Sequence, residues 1–181
     1  DWNGASAAHL LRRAGFGGTP EDAQEMAAAG LDGALDRLLT GDERGLPAPP
    51  ATDPAERLKR REGFRALRME DMEQIMEAGA HRRRTREIYD NMRTWGRERM
   101  RAGGGAVREK WTLFWHGHFA TSQAKVKFNH IMLRQNETLR RLAMGPFREL
   151  CSAMVSDPAM LVWLDGRENK AKSPNENFAR E

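Results

Sequence analysis

Thr19-Pro20, Asp157-Pro158 and Ser173-Pro174 each place a helix-capping side chain directly before proline. Proline has no N–H to waste at the first helical position and its φ is already helical. The residue before it offers an oxygen to the unpaired N–H groups of the first turn. Acids follow two of the pairs: Glu21 and Asp22 after the first, and Glu176 after the third, where Ser173-Pro174-Asn175-Glu176 has the spacing of a capping box. Such punctuation belongs to a chain built from helices, and the apolar residues between the marks recur at helical spacing.

The pattern predicts short packed helices at the start. Ser6–Ala14 is one, ended by the turn Gly15-Phe16-Gly17-Gly18; a second runs from Pro20 to near Gly30; a third spans Leu31–Leu39 with Leu31, Ala34, Leu35 and Leu38 as its apolar stripe. Residues 41–54 carry four prolines and little apolar content, and read as a surface connector. From Ala55 to Ala102 there is no proline, and Arg, Glu, Met, Ala and Leu predominate. One or two long charged helices are expected there, with Gly63 and Gly79 as candidate kinks and Met69, Met72, Ile75 and Met76 as a packing stripe. Gly103-Gly104-Gly105 ends the segment.

Trp111, Phe114, Trp115 and Phe119 fall close together in the next helical stretch, Val107–Phe119, and are expected to centre the core. Further helices are predicted over Lys127–Met144, Pro146–Ser156 and Pro158–Leu164, with a polar loop over Asp165–Lys172. The reading is all-α: an irregular multi-helix bundle with long charged helices and a compact aromatic core. The capped start at Ser173 has only a few residues after it, too few for a stable isolated helix. The 181 residues are therefore expected to be the N-terminal part of a single larger helical domain.

Charged residues make up 31% of the chain, and no apolar run reaches the roughly 20 residues needed to cross a bilayer. Asp1-Trp2-Asn3-Gly4 does not open a signal peptide. The single cysteine, Cys151, allows neither an internal disulfide nor a multi-cysteine metal site, and its apolar helical neighbours make it a small buried hydrophobe. Phosphate-loop, dinucleotide-binding, His-Glu-x-x-His and nucleophile-elbow motifs are absent. The net charge is +4, with arginine concentrated between Arg57 and Arg108 and including Arg82-Arg83-Arg84. Interleaved acids give this stretch the pattern of a solvated face, although the same arginines could meet an anionic partner.

Two strings could carry chemistry. In Trp115-His116-Gly117-His118 the imidazoles would share a face on extended backbone but diverge by about 200° on a helix. Asp165, Asn169, Lys170, Asn175, Glu176, Asn177 and Glu181 gather carboxylates and amides that could bind a cation, activate water or cap helices. The site reading joins His116, His118 and Asn175 as ligands of a divalent metal with Glu176 and Glu181 as catalytic carboxylates. The competing reading is a non-catalytic helical scaffold or envelope assembly protein that binds an anionic partner. Residues favour the first by a narrow margin, since capping alone does not call for Asp165, Asn169 and Asn175 beside a His-Gly-His turn. Nucleic acid is a poor third, because the aromatics cluster with apolar neighbours and do not alternate with basic residues.

Ala7-Ala8-His9-Leu10-Leu11-Arg12-Arg13-Ala14-Gly15-Phe16-Gly17, the Thr112–Ser122 string, and Asp157-Pro158-Ala159-Met160 leading to Pro174–Glu181 occur in that order. Together they resemble the uncharacterised bacterial family catalogued as domain of unknown function eighteen hundred. The resemblance implies a longer helical protein, a sulfatase-like partner protein and an envelope or exported setting. It implies no activity, and Gly41–Gly105 carries none of its motifs.

Overall fold

The computed structural model describes residues 1–41, 45–52, 72–102, 105–166 and 169–180, with the backbone alone for 72–78, 177 and 179. It is all-α, and the only β pairing among the described residues is an isolated bridge between Lys170 and Ser173. In chain order the helices are α1 (Gly4–Ala14), α2 (Pro20–Ala28), α3 (Gly30–Thr40), α4 (Met72–Arg101), α5 (Ala106–His118), α6 (Gln123–Val126), α7 (Asn129–Leu142), α8 (Phe147–Val155), α9 (Pro158–Trp163) and α10 (Glu176–Arg180).

Local chemistry sets most of the boundaries. Asn3 Oδ1 accepts from the N–H groups of Ala5 and Ser6 at the head of α1. Thr19 and Asp22 form a complete capping box, each side chain accepting from the other's backbone N–H at 3.2 and 2.7 Å. The turn after α1 closes on Leu11 O, which accepts from both Gly15 and Gly17 N–H. Gly17 sits at φ 97°, in the region that favours glycine. At Gly15 a Cβ would lie 3.2 Å from that of Ala106, so the missing side chain lets α5 approach. Lys110 of α5 then reaches back to the end of α1, donating to Arg12 O at 2.9 Å and Gly15 O at 2.6 Å.

α5 is the axis of the molecule, packing on α1, α3, α4 and α7. Its first turn enters an N-terminal core of Ala7, Met26, Ala34, Leu38 and Val107, braced by Trp2, whose indole N–H donates to Ala27 O. Trp115 and Phe119, at its other end, pack on a second core of Leu139, Leu150 and Met154. A third joins Val126, Met132 and Ala159 with Met92 of α4. Each of the fully buried Leu and Met side chains stabilises the fold by about 1.5–3 kcal/mol.

The expected aromatic cluster forms around Trp115, which stacks with Trp111, Phe119 and Phe147. Its outer members differ from the expectation of a core centre: Trp111 and Phe114 are 44% and 54% exposed, while α5 buries Val107, Glu109 and Thr112. α3 is likewise narrower in its packing than its pattern, burying Ala34 and Leu38 and leaving Leu31 and Leu35 exposed. α4 passes straight through Gly79 as one helix. The described part of the connector, 45–52, contains no helix or strand. Gly63 and the expected start of the long helix at Ala55 lie outside the described residues, as do the side chains of the methionine stripe.

The last capped start is displaced. Ser173 pairs with Lys170 in the bridge, and Asn175 performs the capping: its Oδ1 accepts from Phe178 N–H at 3.3 Å, two residues later than the sequence pattern implied. No described helix is long and apolar enough to cross a membrane.

Candidate functional site

His-Gly-His lies wholly within α5, and the helical turn sends its two imidazoles to opposite sides. His118 is exposed and belongs to the aromatic ladder, parallel to Phe114 at 6.3 Å and edge-on to Trp115 and Phe119. His116 is half-buried and faces a cleft between α4, α5 and α7.

Asn175 is engaged in holding the loop before α10. Its amide N–H donates to Leu164 O at 2.8 Å, and its backbone N–H donates to Asn169 Oδ1. Glu176 is exposed and pairs only loosely with Arg180 at 3.7 Å. Asp165 pairs with Lys125 at 2.8 Å across the end of α9. Glu181 lies outside the described residues. Among those described, no three His, Cys, Asp or Glu side chains gather as a metal ion would need.

The structure adds a polar centre that the sequence reading did not single out. Glu109, 1% exposed, accepts from Arg99 Nε at 2.7 Å and from Arg140 Nε and Nη2 at 2.7 and 3.1 Å. Burial alone would raise this carboxyl, but the guanidinium bonds from Arg140 and Arg99 outweigh it and hold the group below the ordinary carboxylate value. Arg140 also donates to Asn136 and lies 4.7 Å over the ring of Trp95, and Arg99 lies 5.7 Å from the centre of the same ring. The Trp95 indole N–H donates to Pro47 O, tying the connector to α4.

Beside it runs a chain from Thr121 Oγ1 to Gln135 Oε1 and from Gln135 Nε2 to Asp157 Oδ1 at 2.8 Å. Asp157 caps α9 through Met160 N–H. Here burial wins over the hydrogen bonds, and the carboxyl is raised. At the start of α7, Asn129 Oδ1 and His130 Nδ1 are buried with no hydrogen-bond partner among the described residues.

The cleft has a volume of about 410 Å³. The Glu109–Arg140 pair and Thr112 form its floor; Tyr89, Arg93, Gly96 and Arg97 of α4, His116 of α5 and Thr121 and Ser122 form its walls. Continuing from Arg93 and Arg97 of this wall, α4 carries a continuous basic face. At about 100° per residue, Arg82, Arg83, Arg86, Arg93, Arg97 and Arg101 fall on one exposed side with Asp90 as its single acid. Arg84 and Glu98 turn away from it, and Glu87 lies at its edge beside Arg83. The run Arg82-Arg83-Arg84 is thus split, and Asp90 stands within the face at 3.8 Å from Arg93.

Fold and site together define an all-helical module with a basic helix bordering a mixed polar and apolar cleft. The chain belongs to the family described as protein of unknown function (DUF1800), whose model matches residues 9–181. Neither the curated proteins nor the solved structures contain a match to it.

Proposed function

We propose that the chain is a non-catalytic helical module that holds an anionic polymer along α4. The basic face of α4 is the observation that carries this reading. From Arg82 to Arg101 it extends for about 28 Å at the rise of an α-helix, longer than a Debye length of about 8 Å at physiological salt. A polyanion laid along it therefore meets several guanidinium groups at once, and exposed guanidinium groups bind carboxylate, sulfate or phosphate with two parallel hydrogen bonds. The reading also fits the other side chains that looked chemical in the sequence. Asn175 and Asp165 are occupied in loop contacts, and His118 is occupied in the ring ladder.

Retention on a sulfated polysaccharide matrix tests it. The wild type should bind at low salt and elute as salt rises, and the triple change Arg82→Ala, Arg83→Ala, Arg86→Ala should elute far earlier, while Arg84→Ala changes little. Equal retention of the triple variant would remove the reading.

A further inference from the structure

Gly96 lies in the interior of α4 at the wall of the cleft, and a Cβ placed on it meets no atom of the described residues within 4 Å. Its φ is not among the positive values that need glycine. Glycine in a helix interior costs about 1 kcal/mol relative to alanine, so here neither backbone nor packing accounts for it. What the missing side chain does is keep the cleft open, since any larger residue would grow into the space between Tyr89 and Met92.

The walls of that space are of two kinds. Met92, Leu113 and Met132 offer apolar surface, whereas Arg93, Arg97 and His116 stand around it with polar heads. Arg93 and Arg97 are exposed: Arg93 meets Asp90 at 3.8 Å and lies 5.9 Å over the Tyr89 ring, and Arg97 donates to the hydroxyl of Thr94. Glu109, the one acid in the lining, is already clamped by two guanidinium groups and offers no repulsion to an anion. The volume, about 410 Å³, lies in the range of small-molecule pockets.

We infer that this cleft binds a small amphipathic anion, with an apolar body against Met92, Leu113 and Met132 and a carboxylate or phosphate head between Arg93 and Arg97. The site shares Arg93 and Arg97 with the basic face but does not use Arg82, Arg83 or Arg86, so changes at those three separate its failure from that of polymer binding. Titration calorimetry of the whole chain with dodecanoate, dodecyl phosphate, dodecanol and inorganic phosphate tests it. Dodecanoate or dodecyl phosphate should bind at least about tenfold more tightly than dodecanol, and inorganic phosphate should bind more weakly than either. The stronger of the two anionic amphiphiles identifies the head group. Gly96→Met should abolish binding while leaving the melting temperature equal or higher, because the substitution favours helix and meets open space. Arg93→Ala with Arg97→Ala, both exposed and tolerant of change, should weaken the anions to the level of dodecanol. Arg82→Ala, Arg83→Ala, Arg86→Ala should leave dodecanoate binding unaltered. Binding that survives in folded Gly96→Met, or that does not distinguish dodecanoate and dodecyl phosphate from dodecanol, overturns the inference.

Discussion

Arg140 grips Glu109 with two parallel hydrogen bonds, Nε to Oε1 at 2.7 Å and Nη2 to Oε2 at 3.1 Å, joining α7 to α5 through side chains that are almost fully buried. Removing the carboxylate leaves Arg140 and Arg99 facing each other in the interior. Breaking one side of a buried pair costs about 3–5 kcal/mol. Glu109→Ala should therefore lower the melting temperature by roughly 10 °C for a chain of this size. Replacing Glu109 and Arg140 together by leucine should recover only part of the loss, because Arg99 still loses its carboxylate partner. Thermal unfolding followed by circular dichroism reads both.

Asp157 makes stability depend on pH in the less usual direction. Its folded-state carboxyl is raised, first by burial, so the unfolded chain gives up this proton before the folded one does. The contribution of the residue is greatest below the ordinary aspartate value of about 3.9 and is lost as pH rises through the higher folded value. Glu109, with a lowered carboxyl, acts in the opposite sense and loses its contribution as pH falls. Asp157→Asn keeps a capping oxygen for Met160 N–H but does not titrate. Urea titrations should show the variant gaining on the wild type as pH rises above about 4; a constant difference would contradict the assignment.

The two tryptophans of the ladder should respond differently to truncation. Trp115 donates to Ala143 O at 2.9 Å and packs on Leu139, Leu150 and Met154. Trp115→Ala should cost about 3 kcal/mol. Exposed Trp111 should cost under about 1 kcal/mol when changed to alanine. Denaturant midpoints of the two variants give the comparison.

Asn175→Ala should loosen one region and spare the rest. The change removes the cap of α10 and the tie to Leu164 O. Loss of such a cap is worth about 1 kcal/mol. Amide exchange should accelerate over residues 165–180 with little change elsewhere, and metal content by elemental analysis should be unaltered.

How much of this the sequence disclosed depends on distance along the chain. Thr19 with Asp22, and Asp157 with Met160, are three residues apart, so a local pattern contains both partners. Ser173 shows the limit: its capping-box spacing is intact, but the bridge to Lys170 claims its backbone and the cap falls to Asn175. Glu109 finds Arg99 ten positions away and Arg140 thirty-one away, and nothing in the run of charges distinguishes these arginines from the others. The spacing of His116 and His118 brings them together only on extended backbone, which an unbroken α5 excludes. Gly96 carried no signal at all, because an open wall is a property of three helices and of no single segment.

The clamp from Lys110 to the end of α1 also imposes an order on biosynthesis. Arg12 and Gly15 leave the ribosome 98 and 95 residues before the ammonium group that will satisfy their carbonyls. At typical rates of synthesis that gap lasts about 5–20 s. Through that interval the first helical hairpin must keep those oxygens hydrated, and its closing turn reaches its final form only when α5 arrives.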